Sequence, residues 1–193
     1  MAHPSSIPIT AIDSLPIVFP IEQRSVLRVG DLSAVLEPGT YDRASLITLQ
    51  VIRDNLGKRP IYFARTTGNT GDQLGLGPYL LSQGFVRRVM PRAIEPSDSV
   101  QYVRGVGWID LRTTQEMLFH VYHPDAAARH RPRGWIDQPS ANILSLYYVT
   151  YGMFGEIVKA LPDSMRTPAM TQEAPVADSL AQQMLASLNF SGP

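Results

Sequence analysis

The spacing of hydrophobic residues changes period several times along this chain, and each change marks a predicted element. Residues 25–39, SVLRVGDLSAVLEPG, alternate apolar and polar positions on either side of Gly30 and Asp31, which predicts a β-hairpin. Glycine suits the first position of such a two-residue turn because it adopts a positive φ without strain. The next segment has a helical period, with Asp42 as its N-cap and Gly57 as its stop. We therefore expect a hairpin followed by an amphipathic helix.

Two short apolar runs bracket a glycine-rich loop in the centre of the chain. Strands are predicted at 61–64 and 85–90, and between them the loop ARTTGNTGDQLGLGP leads into a short helical stretch at 77–83. A strand, a crossover helix and a second strand are typical of an α/β fold, with an α+β fold as the alternative. We expect a small sheet that contains the hairpin and these two strands.

The second half of the chain is predicted to be helical. Residues 94–107 lack an apolar period and are interpreted as a surface loop, after which a helix begins at Asp110 or Thr113. A long helix begins at about Ile143, and its apolar stripe continues to Leu161. The predicted order of elements is therefore strands in the first half of the chain and helices in the second.

These elements divide the chain into four parts. Residues 1–107 form an α/β body with an extended, proline-punctuated N-terminal segment, and residues 108–161 form a helical part packed on the same body. The composition of residues 162–175 predicts a linker, and residues 176–193 form a C-terminal amphipathic helix. Such a helix either packs back on the body or docks on a partner. Its stripe offers a surface for a homo-oligomer and consists of Val176, Leu180, Met184 and Leu188.

Charge and composition exclude several classes of function. Lys plus Arg equals Asp plus Glu at 17 each, so no net field attracts nucleic acid, and no nucleic-acid partner is expected. The absence of cysteine rules out disulfides, thiolate catalysis and cysteine metal sites. The N-terminal segment lacks the basic region and the uninterrupted apolar run of a signal peptide. The most apolar stretch, 143–161, contains Glu156 and Lys159, so no transmembrane span is predicted.

The glycine-rich loop is the first place to look for a ligand. Its backbone amides, the hydroxyls of Thr66 and Thr67, the guanidinium of Arg65 and the carboxylate of Asp72 are groups that bind a nucleotide or a sugar phosphate. The loop lacks the Gly-Lys-Ser/Thr of a P-loop and the third glycine of the dinucleotide fingerprint. A flexible crossover loop without a ligand is therefore the alternative interpretation.

Two tryptophan–aspartate pairs suggest a site for sugar rings. Trp135 with Asp137, and Trp108 with Asp110, each combine a flat aromatic face with a carboxylate. Each pair also fits the start of a helix, with aspartate as the cap and tryptophan in the core. Both interpretations stay open at this point.

No catalytic residue, metal or cofactor is predicted for this chain. His120 and His123 are three residues apart and His130 follows, but no HExxH-type motif or cysteine completes a zinc site. The chain has no Gly-x-Ser-x-Gly and no Ser/His/Asp order of a hydrolase.

The order of segments resembles a known family. The run LEPG, a helix, GKRPIYFART, LGLGPYLLSQGFVRRVMP, WIDLRTTQEMLFHVYH and RGWIDQPSANI covers roughly residues 32–161. It resembles the C-terminal soluble region of a large bacterial multi-span membrane family of unassigned function. That family is similar to the vertebrate transmembrane protein O-mannosyltransferase, which modifies plexin-type receptor domains.

The resemblance implies a role beside a membrane glycosyltransferase that uses a lipid-linked sugar. Such proteins have their catalytic acid in an external loop near the first membrane spans, and this chain contains neither. The implied function is a non-catalytic accessory domain for acceptor positioning or protein interaction, on the periplasmic or external face of a bacterial membrane. Its expected partner is the membrane-embedded region of the parent protein or another protein. The alternatives are a stand-alone α/β domain that binds a nucleotide or sugar phosphate, and an oligomerisation module.

Overall fold

The structure, a computed structural model, describes residues 17–128 and 137–188 of the 193-residue chain. The described strands are β1 (Val18–Ile21), β2 (Ser25–Val29), β3 (Leu32–Leu36), β4 (Gly39–Asp42), β5 (Tyr62–Ala64), β6 (Leu80–Gln83), β7 (Val86–Val89), β8 (Val100–Val103) and β9 (Gly107–Asp110). The described α-helices are α1 (Arg43–Asn55), α2 (Thr70–Gln73), α3 (Leu111–Glu116), α4 (Pro124–Ala128), α5 (Gln138–Ala160) and α6 (Pro168–Leu188). Short 3₁₀ turns lie at Arg65–Thr67, Gly77–Tyr79 and Asp163–Met165, and a π turn at Met117–Val121.

The strands of the described residues pair into three sheets. β1 pairs antiparallel with β4 and β2 pairs antiparallel with β3, while the third sheet has the order β5-β7-β6-β9-β8. Sheets followed by long helices confirm the predicted α/β fold with a helical C-terminal part. The predicted single sheet is wrong in one respect, because the β2–β3 hairpin forms a two-stranded sheet of its own.

The chain divides into two compact units, and each unit has its own core. Unit 1 comprises the residues up to Leu81 together with Arg87–Glu95, and unit 2 comprises Ser82–Val86 together with the residues from Pro96 onward. The predicted boundary at residue 107 therefore differs from the division between the units.

Unit 1 is organised by the hairpin and α1. Gly30 has φ +58° in the turn between β2 and β3, as the hairpin prediction requires. The Asp42 carboxylate caps α1 by accepting a hydrogen bond from the Ser45 amide at 2.7 Å, and Gly57 follows the helix with φ +82°. The buried core of the unit consists of Leu32, Ala34, Leu36, Leu49, Ile52, Phe63, Leu74, Leu76, Tyr79, Leu80 and Val89.

Unit 2 is organised by α5 and α6, which pack along one another. Its largest fully buried side chains include Tyr151 and Phe154 of α5. The Tyr151 hydroxyl donates a hydrogen bond to the backbone carbonyl of Leu118 in the π turn. The buried core consists of Ile109, Leu111, Leu118, Ala128, Leu144, Tyr151, Phe154, Ile157, Val158, Leu161, Met170, Ala174, Ala177, Ala181 and Met184.

Two sequence predictions in the centre of the chain are wrong. The predicted helical stretch at 77–83 is a 3₁₀ turn followed by strand β6, because Leu80, Leu81 and Ser82 are all buried and no polar alternation reveals the strand. The predicted surface loop at 94–107 contains strand β8, which pairs with β9 across a turn that includes Gly105 at φ +83°.

Two helix boundaries also differ from the predictions. α5 begins at Gln138 rather than near Ile143, because Asp137 caps it by accepting a hydrogen bond from the Ser140 amide at 2.8 Å. The predicted linker at 162–175 is wrong over most of its length, because α6 begins at Pro168 and contains Pro175. Proline is well tolerated in the first helical turn, so Pro168 is compatible with a helix start.

The predicted stripe of the last helix is distributed over different environments. Met184 is fully buried in the core of unit 2, Leu180 and Leu188 pack against that core, and Val176 is half exposed. A homo-oligomer that uses this stripe therefore stays a prediction, and it would need Met184 to leave its buried position. None of the described helices is long and apolar enough to cross a lipid bilayer.

Candidate functional site

The glycine-rich loop of unit 1 is tied down by hydrogen bonds within the loop. After β5, the Thr67 hydroxyl donates to the Ala64 carbonyl at 2.7 Å, and the Thr70 hydroxyl donates to the Thr67 carbonyl at 2.7 Å. Thr66, the other threonine of the predicted site, lies exposed in the same 3₁₀ turn. The hydroxyl of Thr67 therefore stabilises the turn and is not directed toward an open phosphate cradle.

Two glycines of the loop allow it to pack closely on its neighbours. Gly75 has φ +70°, and a Cβ atom at this position would lie 2.1 Å from the carbonyl oxygen of Val35 in β3. A Cβ atom at Gly71 would lie 2.7 Å from Cδ1 of Leu80. Because both glycines are required for packing, the glycine content of the loop does not by itself indicate a phosphate site.

The charged side chains of the predicted site cluster with Arg87. The Arg87 guanidinium, whose side chain is 12% exposed, binds both carboxylate oxygens of Asp72 at 2.5 and 2.8 Å. Burial, and secondarily the charge of Arg87, lower the pKa of Arg65. The structure thus brings Arg65, Asp72 and Arg87 together, and it assigns Asp72 to an ion pair that fixes the loop.

A groove beside this loop is the candidate functional site. We name it the acidic groove; it has a volume of about 720 Å³, within the range of about 300–1,000 Å³ that is usual for ligand sites. It lies between the loop, the β1–β4 pair and the start of α1, and the described residues of its lining include three carboxylates and no basic side chain. The lining consists of Val18, Val35, Glu37, Gly39, Thr40, Tyr41, Asp42, Ser45, Asp72, Gln73, Leu74 and Gly75.

Each carboxylate of the acidic groove is held by a specific partner. Asp42 accepts hydrogen bonds from the Ser45 amide at 2.7 Å and the Ser45 hydroxyl at 2.6 Å, and these bonds hold the pKa of Asp42 below its ordinary value. Glu37 lies 3.3 Å from the Arg24 guanidinium, and Asp72 is paired with Arg87. The Asp42 carboxylate is therefore anionic at neutral pH and is a poor proton donor.

Local backbone structure explains why these side chains meet. β1 and β4 pair antiparallel with Val18 opposite Asp42, which places the ribbon next to the start of α1. The Tyr41 hydroxyl donates to the Glu37 carbonyl at 2.9 Å and fixes the bend before β4. Gly75 then brings the loop against β3, so Asp72 and Gln73 complete the opposite side.

The acidic groove is suited to ligands that donate hydrogen bonds or carry positive charge. Carboxylates are acceptors only when they are ionised, and Thr40, Ser45 and Gln73 add neutral polar groups. The aromatic ring of Tyr41 packs near Phe19, with ring centroids 6.0 Å apart, and gives the ribbon a rigid apolar element. A phosphate group would lie beside the Asp42 carboxylate, whose hydrogen bonds come from the neutral Ser45, which disfavours the phosphate electrostatically.

The aromatic pairs that sequence reasoning proposed for sugar binding have structural roles where they are described. Asp137 is the N-cap of α5, and its hydrogen bonds from Ser140 hold the pKa of Asp137 below the ordinary value. Trp135 lies outside the described residues. Asp110 is the N-cap of α3 and accepts from the Thr113 amide at 3.0 Å. A sugar contact through Trp135 and Asp137 stays a prediction.

The histidines give no metal-type arrangement in the described part of the chain. His120 Nε2 lies 3.8 Å from Glu173 Oε1, and Gln115 donates to the other oxygen of Glu173 at 2.6 Å. No three His, Asp or Glu side chains converge as metal ligands in residues 17–128 and 137–188. His130 lies outside these ranges.

Sequence reasoning missed most residues of the acidic groove. Asp42 was identified as a helix cap, but Glu37, Thr40 and Tyr41 carried no motif that marks a site. The only local signal was the EPG turn before a short polar run, which predicts a bend and not a ligand. The groove arises from the pairing of β1 with β4, which is not encoded in a local period.

Comparison with protein-family models, with curated proteins and with solved structures gives no match to this chain. The family resemblance described above is therefore a prediction from the sequence segments alone.

Proposed function

We propose that this chain is a non-catalytic accessory domain that holds a polypeptide acceptor in the acidic groove. In this proposal the acceptor segment carries basic and hydroxyl side chains. The domain serves an O-mannosyltransferase-like membrane protein on the periplasmic or external face of a bacterial membrane. Its partners are the acceptor and the membrane-embedded region of that parent protein or another protein.

The acid lining of the groove is the observation that supports this proposal. Glu37, Asp42 and Asp72 line one cavity, and among the described residues its lining includes no arginine or lysine. Arg24 and Arg87 pair with Glu37 and Asp72, so Asp42 contributes the uncompensated negative charge. Lysine or arginine side chains of an acceptor would lie near fixed negative charge, and serine or threonine hydroxyls would find carboxylate acceptors. The lowered pKa of Asp42 favours binding over acid catalysis, because a general acid needs a raised pKa.

The alternative of a nucleotide or sugar-phosphate domain has weaker support. Its predicted residues Arg65, Thr67 and Asp72 are engaged in the packing and hydrogen bonds of the loop. An oligomerisation module is supported by the half-exposed Val176 on α6. Neither alternative provides a cavity whose lining charge selects its ligand.

Fluorescence anisotropy with charged peptides tests the proposal. The probes are a fluorescein-labelled peptide of alternating serine and lysine and a second peptide of alternating serine and glutamate. We expect the lysine peptide to bind and its affinity to fall with increasing salt, because the groove charges are close to solvent. Equal binding of both peptides, or binding of the glutamate peptide alone, would contradict the proposal.

Matched charge variants locate the binding. In Glu37→Gln/Asp42→Asn, asparagine still caps the helix and only charge is removed. Exposed ion pairs contribute about 0.2–1 kcal/mol each, so the lysine peptide should bind about two- to thirtyfold more weakly. Glu22→Gln/Glu95→Gln removes two exposed charges of the same unit outside the groove and should leave the affinity unchanged. An equal loss in both variants would mean non-specific attraction.

The membrane relationship is tested separately by gene sequence. We expect apolar membrane spans to be encoded either upstream of the Met1 codon in the same reading frame or in an adjacent gene. If neither place encodes such spans, the link to a membrane glycosyltransferase fails, whereas peptide binding by the acidic groove is unaffected.

A further inference from the structure

A second groove lies within unit 2 and is lined by residues of α5 and α6. We name it the helix groove; its volume is about 430 Å³. Its floor is formed where Gly152 of α5 meets Ala181 of α6, since a Cβ atom at Gly152 would lie only 3.6 Å from the Ala181 Cβ. Val149 and Met153 line one wall and Leu185 lines the other. The small residues at the floor thus create a furrow between two apolar walls.

One residue of the apolar half of the helix groove, Val149, is open to solvent. Val149 is 49% exposed although it belongs to the same helix as the fully buried Tyr151 and Phe154. An exposed aliphatic wall beside a furrow of small residues is the surface onto which an apolar side chain of another helix fits.

The other half of the helix groove is charged, and its described lining residues carry an excess of negative charge. Lys159 lies 2.9 Å from Glu156 and 2.6 Å from Asp178, so one cation is shared by two carboxylates. The hydrogen bond to Asp178, and to a smaller extent the one to Glu156, raise the pKa of Lys159 and keep its ammonium group protonated. Glu156 is 74% exposed and therefore has room for a second cation.

The position of this charge cluster on α5 reinforces its sign. Glu156 and Lys159 lie in the last turns of the helix, which ends at Ala160. The C-terminal end of a helix carries partial negative charge from its unpaired carbonyls. An incoming positive charge is therefore favoured at this end of the helix groove by the carboxylate excess and by the helix end.

We propose that the helix groove binds an amphipathic helix of a partner protein that carries a basic residue. Val149 and Glu156 are seven residues apart, which corresponds to about 10.5 Å along α5. The partner helix places apolar anchors at positions i and i+4 against Val149, Met153 and Leu185, and a lysine or arginine at i+7 beside Glu156. This site is independent of the acidic groove, because it lies wholly in unit 2.

A second copy of this chain is the less suitable occupant. An isologous two-fold contact places each patch against the same patch of the partner. In one orientation of such a dimer, the apolar half of each helix groove would contact the charged half of the other. In the opposite orientation, the two negatively charged clusters would lie next to each other. Charge complementarity therefore favours a basic helix over self-association.

Peptide titration followed by amide NMR shifts tests the proposal. The probes are two alanine-rich, end-capped peptides of about 16 residues, long enough for partial helix formation in water. Both carry leucine at i and i+4, and one carries lysine and the other glutamate at i+7. We expect shifts at Val149, Met153 and Leu185, with the lysine peptide binding about three- to tenfold more tightly. Equal affinity of the two peptides, or shifts elsewhere only, would overturn the proposal.

Two pairs of matched variants separate binding from folding. Val149→Ser should weaken the lysine peptide at least threefold, whereas Val121→Ser, at a residue equally exposed at 48% but outside the groove, should not. Glu156→Gln should remove most of the preference for lysine, whereas Glu116→Gln should leave it intact. Unchanged circular dichroism verifies folding of all four. Concentration-dependent shifts of the groove residues without any peptide would overturn the proposal in favour of self-association.

Discussion

Replacing Gly75 by alanine should destabilise unit 1 strongly, because the glycine-rich loop rests directly on the backbone of β3. The new Cβ atom would lie 2.1 Å from the Val35 carbonyl oxygen and 2.7 Å from the Val35 nitrogen. Backbone atoms cannot rotate away as a side chain can, so the loop or the strand must shift. Such overpacking costs about 1–3 kcal/mol, and the left-handed conformation at φ +70° adds about 1–2 kcal/mol. We expect a total loss of about 2–5 kcal/mol.

Gly57→Ala is the matched control for the conformational part of this cost. Gly57 has φ +82° and no atom within 4 Å of its ideal Cβ position, so alanine there causes backbone strain without a clash. We expect a loss of about 1–2 kcal/mol for this variant. The difference between the two variants, about 1–3 kcal/mol, measures the close approach of the loop to β3.

Hydrogen exchange combined with urea unfolding is the appropriate assay. Because the chain has two compact units, a single unfolding curve can combine two transitions, whereas exchange of peptides from residues 25–36 reports on β2 and β3 alone. Gly75→Ala should accelerate exchange there more than Gly57→Ala does. If the two variants have equal effects, Gly75 is not a packing glycine and the argument against a phosphate loop loses its main support.

The remaining predictions concern individual residues of the two units. Gly155→Ala should lower the free energy of unfolding of unit 2 by about 1–2 kcal/mol, because the new Cβ atom would lie 2.1 Å from a carboxylate oxygen of α6. Gly152→Ala should raise that free energy by up to about 1 kcal/mol. Coinciding thermal unfolding curves of the two variants would contradict this prediction. Tyr151→Phe should cost about 1 kcal/mol in urea unfolding because a buried hydrogen bond is lost, and more than Tyr147→Phe at a partly exposed ring. Burial raises the pKa of Tyr151, so its contribution to stability is complete below pH ~10, the ordinary tyrosine value, and is lost as the pH rises toward the folded-state value. The pKa of the Asp42 carboxyl, measured by carbon-detected NMR, should lie below ~3.9, the ordinary aspartate value. The stabilisation by this cap is therefore complete above that pH and is lost as the pH falls through the pKa of the folded state. A titration midpoint at or above ~3.9 would refute the capping argument.

Local sequence signals predicted the elements that depend on local interactions. The turn glycine Gly30, the cap Asp42 and the stop Gly57 all occupy the predicted positions, because each satisfies a backbone requirement within a few residues. The long helix α5 was also predicted, although its start was placed too late because the polar residues after Asp137 carry no apolar stripe.

Elements that depend on tertiary surroundings were predicted wrongly. Strand β6 was interpreted as helical because Leu80, Leu81 and Ser82 are buried on both faces, which removes the alternation that identifies a strand. The composition of residues 162–175 predicts a linker where α6 begins. Packing against α5 stabilises the helix in spite of the interior proline, and sequence spacing does not reveal such packing.

The candidate site was the least predictable part of the molecule. The sequence predicts Asp72 as a ligand-binding residue of the glycine-rich loop, whereas its pairing with Arg87 depends on a contact between residues 15 positions apart. The acidic groove needs three separate events, namely the β1–β4 pairing, the Asp42 cap and the approach of Gly75 to β3. None of these events has a signature that specifies a ligand.

Amide NMR mapping of bound ligands tests the central claim most directly, namely that the acidic groove and not the glycine-rich loop is the binding site. The serine–lysine peptide and ATP are titrated in parallel into the labelled protein. We predict shifts at Thr40, Tyr41 and Gln73 with the peptide and no saturable shifts at Arg65 and Thr66 with ATP. Saturable ATP shifts at Arg65 and Thr66, together with an unresponsive groove, would contradict the account.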